Sequence, residues 1–137
     1  MMIVAVIMGV LAALAIPNFS RVRERAMIVR AIGDIKVLGM DLTDYQMDNG
    51  SFPASLADIG RGGLLDPWGN PYRYVRVAGS NRGALRKDRF LVPINSDFDL
   101  YSMGPDGKTT AALTAKAARD DIIRANDGGY VGVAEGY

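Results

Sequence analysis

The chain has no cysteine and no histidine among its 137 residues. Without them there are no disulfides, no thiolate nucleophile, no Cys/His zinc site, no Cys-x-x-Cys-His haem attachment and no His-based triad. The missing cysteine does not fix a compartment, because it suits reducing and oxidising surroundings alike. No P-loop, Gly-x-Ser-x-Gly or Gly-x-Gly-x-x-Gly sequence occurs, so neither a nucleotide nor a haem cofactor is expected. The adjacent acids Asp120 and Asp121 are the sole candidate dyad, and neighbours on a helix point in different directions, so no catalytic residues and no enzymatic activity are expected. Sixteen basic against fifteen acidic side chains leave a net charge of +1, too weak a field to draw in nucleic acid. The length suits one small domain with an appendage.

Charge is also absent locally. Residues 1–20 (MMIVAVIMGVLAALAIPNFS) carry no charged side chain, and Arg21 is the first. A helix of that length covers about 30 Å, the thickness of a bilayer hydrocarbon core. A signal peptide would place basic residues before the apolar run, whereas Arg21, Arg23, Arg25 and Arg30 all follow it. A buried core helix is the alternative, but an apolar run with no polar face must be covered on every side. Pro17 removes a backbone hydrogen bond and crowds the carbonyl of Ala13, which predicts a kink or a locally melted stretch. Gly9 either adds flexibility and close helix contact or is simply tolerated in a membrane helix.

Beyond Pro17 apolar residues recur at Ile28, Ile32, Ile35, Leu38, Leu42 and Tyr45, in steps of three and four, and the run stops at Asp48-Asn49-Gly50. One helix over 1–49 would be about 74 Å long, so half of it must project from a small domain. A projecting apolar half joined to an amphipathic half needs two environments, lipid before assembly and neighbouring copies afterwards. Three segments are expected: 1–20 as a transmembrane and filament-core helix, 21–50 as its amphipathic continuation, and 51–137 as a globular head.

In the head, residues 51–65 read as a loop with a short helical turn near 55–59. The prolines and Gly-Asn pair of 66–71 force tight turns, with Trp68 as a hydrophobic plug or a ligand-stacking residue. Strands are expected at 72–77, 89–92 and 97–102 from their β-branched, aromatic and alternating content. The fold class is therefore α+β, with a small three-stranded antiparallel sheet packed on the amphipathic half of the helix. The basic cluster Arg82, Arg86 and Lys87 reads as a solvated hairpin loop or an electrostatic contact with a neighbouring subunit or cargo.

Three motifs carry a resemblance. Gly9-Val-Leu-Ala-Ala-Leu-Ala-Ile-Pro17-Asn-Phe19, followed by an Arg-rich amphipathic stretch, resembles the N-terminal segment of type IV pilins and pseudopilins. Asp66-Pro-Trp68-Gly-Asn-Pro-Tyr72 and Phe98-Asp-Leu-Tyr101-Ser-Met-Gly104-Pro-Asp106-Gly107 resemble the loop-to-strand and last-strand segments of type II secretion major pseudopilins. Relative to that family the chain lacks the aromatic start and nearby Glu of the mature protein. A leader and about five mature residues are therefore expected upstream of Met1.

The resemblance implies a homopolymeric helical filament whose core includes Gly9, Leu11 and Leu14, with the helix broken at Pro17. It further implies maturation by a prepilin peptidase with methylation, partnership with minor pseudopilins and an inner-membrane assembly platform, and residence in the bacterial inner membrane before assembly into a periplasmic or surface filament. It also implies calcium, held by Ser102, Asp106, Asp120 and Asp121 with backbone carbonyls such as that of Leu100. The residues themselves leave another reading open, in which Asp106 makes a turn and Asp120 caps a short helix over 122–125. The rivals to secretion are a type IV pilin fibre for adhesion, motility, DNA uptake or electron transfer, and a single-span membrane protein with a ligand-binding head.

Overall fold

The computed structural model describes residues 2–137, and Met1 lies outside the described residues. Helix α1 (Met2–Asn49) contains 48 residues, about 72 Å of helix. The expected break at Pro17 does not interrupt it: residues on both sides remain helical. Proline deletes a single N–H, the bonds on either side hold the turn, and the Ser20 hydroxyl donates to the Pro17 carbonyl at 3.0 Å. The helix ends where Gly50 adopts φ +77°, with its N–H bonded to the Gln46 carbonyl at 2.8 Å.

Residues 2–26 of α1 touch nothing that buries them, whereas Ala31, Ile35, Leu38 and Leu42 are fully enclosed. These four occupy one face at helical spacing, flanked by half-buried Ile28 and Ile32. The face packs on a four-stranded antiparallel meander in the order β1 (Arg73–Arg76), β2 (Phe98–Ser102), β3 (Ile122–Ala125) and β4 (Tyr130–Val133). Arg73 stands opposite Tyr101, Ser102 opposite Ile122, and Ile122 opposite Val133. Two cross-ties fasten head to helix: the Tyr72 hydroxyl donates to Asp34 at 2.8 Å, and Arg61 Nε donates to Asp41 at 2.9 Å. Burial, with the Asp34 carboxylate next in effect, pushes the Tyr72 hydroxyl far above its usual range.

The sheet is a middle layer. Phe98, Leu100 and Ile122 face the helix with Tyr72 and Leu56. Ile123 and Ala125 belong to a second cluster with Ile94 and Leu113, from the long loops that follow β1 and β2, and with Ala134, just past β4. The sheet has four strands where three were expected, because β3 and β4 join it and residues 89–92 do not. Residues 122–125, read as a possible short helix, form a strand buried at all four positions. Residues 89–92, read as a strand, form an exposed turn instead. Asp88 Oδ1 accepts from the N–H groups of Phe90 at 2.8 Å and Val92 at 3.0 Å, and Leu91 sits at φ +61°. A local side-chain cap here overrides β-propensity. The expected turn before residue 60 is present as a 3₁₀ helix (Leu56–Ile59), and Trp68 packs against the main core, as a plug would.

Candidate functional site

The first candidate surface is the exposed half of α1. Met2, Ile3, Val4, Val6, Ile7, Met8, Val10, Leu11, Leu14, Ile16 and Phe19 are each more than half exposed, Leu11 at 61% and Leu14 at 68%. A methyl group placed on Gly9 would meet nothing of this chain. Covering one such side chain is worth about 1.5–3 kcal/mol, so the set represents on the order of 15–30 kcal/mol. That exceeds the ~5–15 kcal/mol that holds a typical domain folded. The segment therefore needs a nonaqueous cover, and α1 is long and apolar enough to cross a membrane.

The second candidate is the loop region between β2 and β3, residues 103–121. The five residues implied as calcium ligands do not converge there. Leu100 is buried inside β2 opposite Tyr74. The Ser102 hydroxyl donates to Asp66 Oδ2 at 2.6 Å and accepts from the Gly104 N–H at 3.1 Å. Asp106 and Asp120 do meet: the Asp106 N–H donates to Asp120 Oδ2 at 3.2 Å, while Asp106 Oδ1 accepts from the Lys108 N–H at 2.8 Å. Burial, with the Asp106 charge as a further cause, pushes the Asp120 carboxyl upward. Asp121 is turned elsewhere. Its Oδ2 accepts from Arg86 Nη2 and from the Thr109 hydroxyl, both at 2.5 Å.

A calcium cage requires six to eight converging oxygens. Among the described residues no three acidic side chains gather in a way that could hold a metal ion. Asp120 Oδ1 and Asp121 Oδ1 are buried without partners, yet Asp121 lies on a guanidinium, and the cleft at Asp106 and Asp120 is also lined by Lys108, Lys116 and Arg119. As arranged, the donor set does not fit the ion.

Sequence reasoning missed the buried polar residues that organise the head. Asp66 is 4% exposed and accepts from the N–H groups of Trp68 at 3.0 Å and Asn70 at 2.9 Å as well as from Ser102. Its signal was available in the Asp-Pro-x-Gly pattern, where an aspartate caps its own turn. Arg86, grouped with Arg82 and Lys87 as solvated, is 2% exposed, a correction that no local pattern could supply. Arg124 pairs with Asp97 at 2.6 Å and places its guanidinium 3.9 Å from the centre of the Phe98 ring.

No family model matches the chain. Curated relatives do. A type II secretion system core protein G from Pseudomonas aeruginosa is 33% identical, with 78% of this chain and 80% of that protein covered. Proteins of the same name from Escherichia coli K12 and Aeromonas hydrophila are 32% and 30% identical, each with 78% of this chain covered and 78% and 79% of the relative. With the long apolar helix and the antiparallel head in place, these relationships show that the chain belongs to the type II secretion system core protein G family, the major pseudopilins.

Proposed function

We propose that the chain is the repeating subunit of a type II secretion pseudopilus, anchored in the inner membrane by residues 1–20 and then withdrawn into a helical homopolymer. The observation that carries this reading is the uncovered, uncharged half of α1, continuous with a half that is already occupied by its own head. Lipid satisfies the free half before assembly, and the same half of neighbouring copies satisfies it afterwards. Contacts that repeat without closing produce an open fibre. The relatives' name supports secretion over a surface pilus. Within this reading, a prepilin peptidase matures the chain, an inner-membrane platform assembles it, and minor pseudopilins join it at the fibre.

Electron microscopy of sheared periplasmic and surface fractions from overproducing cells tests the polymer. Fibres are expected from the parent chain. Leu14→Arg, which places a charge in the apolar half, is expected to abolish them while the head retains its fold. Fibres as abundant in Leu14→Arg as in the parent would refute the assignment of this face to the fibre core.

A further inference from the structure

The buried polar cluster between the sheet and its loop cover contains a fixed cation that belongs to the chain itself. Arg86 reaches it from the loop after β1, and both ends of the residue are immobilised. Its N–H donates to Asp99 Oδ2 at 2.7 Å, and its carbonyl accepts from the Ile94 N–H at 3.1 Å. Its guanidinium lies 4.2 Å from the centre of the Tyr101 ring. Nη1 donates to the Thr110 carbonyl at 2.6 Å and to the Thr109 hydroxyl, and Nη2 donates to Asp121. A carbonyl, a hydroxyl and a carboxylate, all from the 103–121 segment, are thus gathered on one positive group. They are the kinds of oxygen a hard divalent cation would collect.

The neighbouring residue continues the seam. The Lys87 N–H donates to the Ala111 carbonyl at 2.8 Å, and the Leu113 N–H donates to the Lys87 carbonyl at 2.9 Å. The two loops are therefore joined at Arg86 and Lys87 before any outside ligand is considered. The other acids of this region share their cleft with basic side chains. The cleft holding Asp106, Asp120 and Glu135 is lined by Lys108, Lys116 and Arg119, three charges of each sign. A divalent ion there would meet little net negative field, and one at Asp121 would face the guanidinium at contact distance.

We propose that Arg86 is the built-in cation of this head, closing the 103–121 loop onto the sheet in the role that the family resemblance gives to calcium, so that the fold is independent of that ion. The loop closes as the chain folds and stays closed whatever the divalent concentration. A missing partner for Arg86 would be more disruptive than a missing metal, because the guanidinium cannot lose its charge.

The test uses the full chain in detergent micelles, melted while Trp68 fluorescence is followed, with added calcium or with excess EGTA. The expected result is one melting temperature in both conditions and no binding heat when calcium is titrated into the chain. Arg86→Met, which strands Asp121 in the interior, is expected to melt roughly 10–20 °C lower. Arg86→Met/Asp121→Leu, which removes both charges, is expected to recover most of that loss. Should Arg86→Met fail to fold, the double variant and the chelator comparison still decide the matter. A fall in the parent's melting temperature on EGTA, measurable calcium binding, or an Arg86→Met chain that melts like the parent would each overturn the proposal. None of these readouts requires a fibre, so they stand or fall separately from the assembly reading.

Discussion

Replacing Gly104 with alanine should be far more damaging than the same change at Gly107, although the two share a turn and nearly the same backbone. Gly104 has φ +64° and Gly107 has φ +65°, so each alanine would bear a left-handed cost of about 1–2 kcal/mol. The surroundings differ. A Cβ on Gly104 would lie 2.3 Å from the Asp120 carbonyl oxygen and 2.9 Å from its carbon, whereas a Cβ on Gly107 first meets the Asn70 amide at 3.4 Å. Asn70 can rotate aside; the Asp120 backbone cannot, since the next residue is fastened by Arg86 and Thr109. Overpacking against a fixed wall adds about 1–3 kcal/mol. Gly107→Ala should therefore cost about 1 kcal/mol and Gly104→Ala about 3–4 kcal/mol, with part of the backbone term offset by a less flexible unfolded chain. At ~4–8 °C per kcal/mol the gap between them is roughly 10–20 °C. Thermal melts of the two variants in micelles, read through the single Trp68, measure it directly. Two variants melting together would refute the claim that the Gly104–Asp120 approach is what demands glycine.

Further outcomes follow from the polar groups. Asp66→Ala should cost roughly 2–4 kcal/mol in chemical denaturation, because it strands the buried Ser102 hydroxyl and the N–H groups of Trp68 and Asn70. Leu91→Gly should leave stability unchanged or raise it by up to ~1 kcal/mol, since an exposed leucine at φ +61° has strain to lose and little packing to forfeit. Asp127 is held below the usual carboxylate range, chiefly by the Ser96 hydroxyl at 2.7 Å. Its contribution is present above a pH of about 4 and is lost as pH falls through the lowered folded value. Ser96→Ala should consequently lower stability at neutral pH and change little well below a pH of about 4, which flattens the acid limb of the stability curve; an unchanged acid limb would exclude the pairing as its source.

The helix was legible because Ile35, Leu38 and Leu42 repeat at the period that one buried face requires, and β1 and β2 because their aromatic and alternating residues suit a pleated surface. Strand β3 was not. Ile122, Ile123, Arg124 and Ala125 are all buried, so no alternation marks them, and an aspartate before them imitates a helix cap. The turn at Asp88 failed in the opposite sense, since Phe90, Leu91 and Val92 have strand composition without a neighbour to pair with. The uncovered apolar half of α1 was readable because the lack of charge over twenty residues is a local fact. The Arg86 cluster was hidden, because which of several nearby basic residues turns inward depends on Thr109, Asp99 and Asp121, which lie 13 to 35 positions away in the chain.

The union of head and helix has a mechanical consequence. The enclosed stripe from Ala31 to Leu42 extends about 17 Å along the axis, and the Tyr72–Asp34 and Arg61–Asp41 cross-ties fall within the same length. A tension applied to the tail along that axis loads the whole stripe in shear, with every contact strained together. A sideways tug on the head would instead open the joint from one end, contact by contact. The joint between head and tail is thus stiffest along the helix axis and weakest across it.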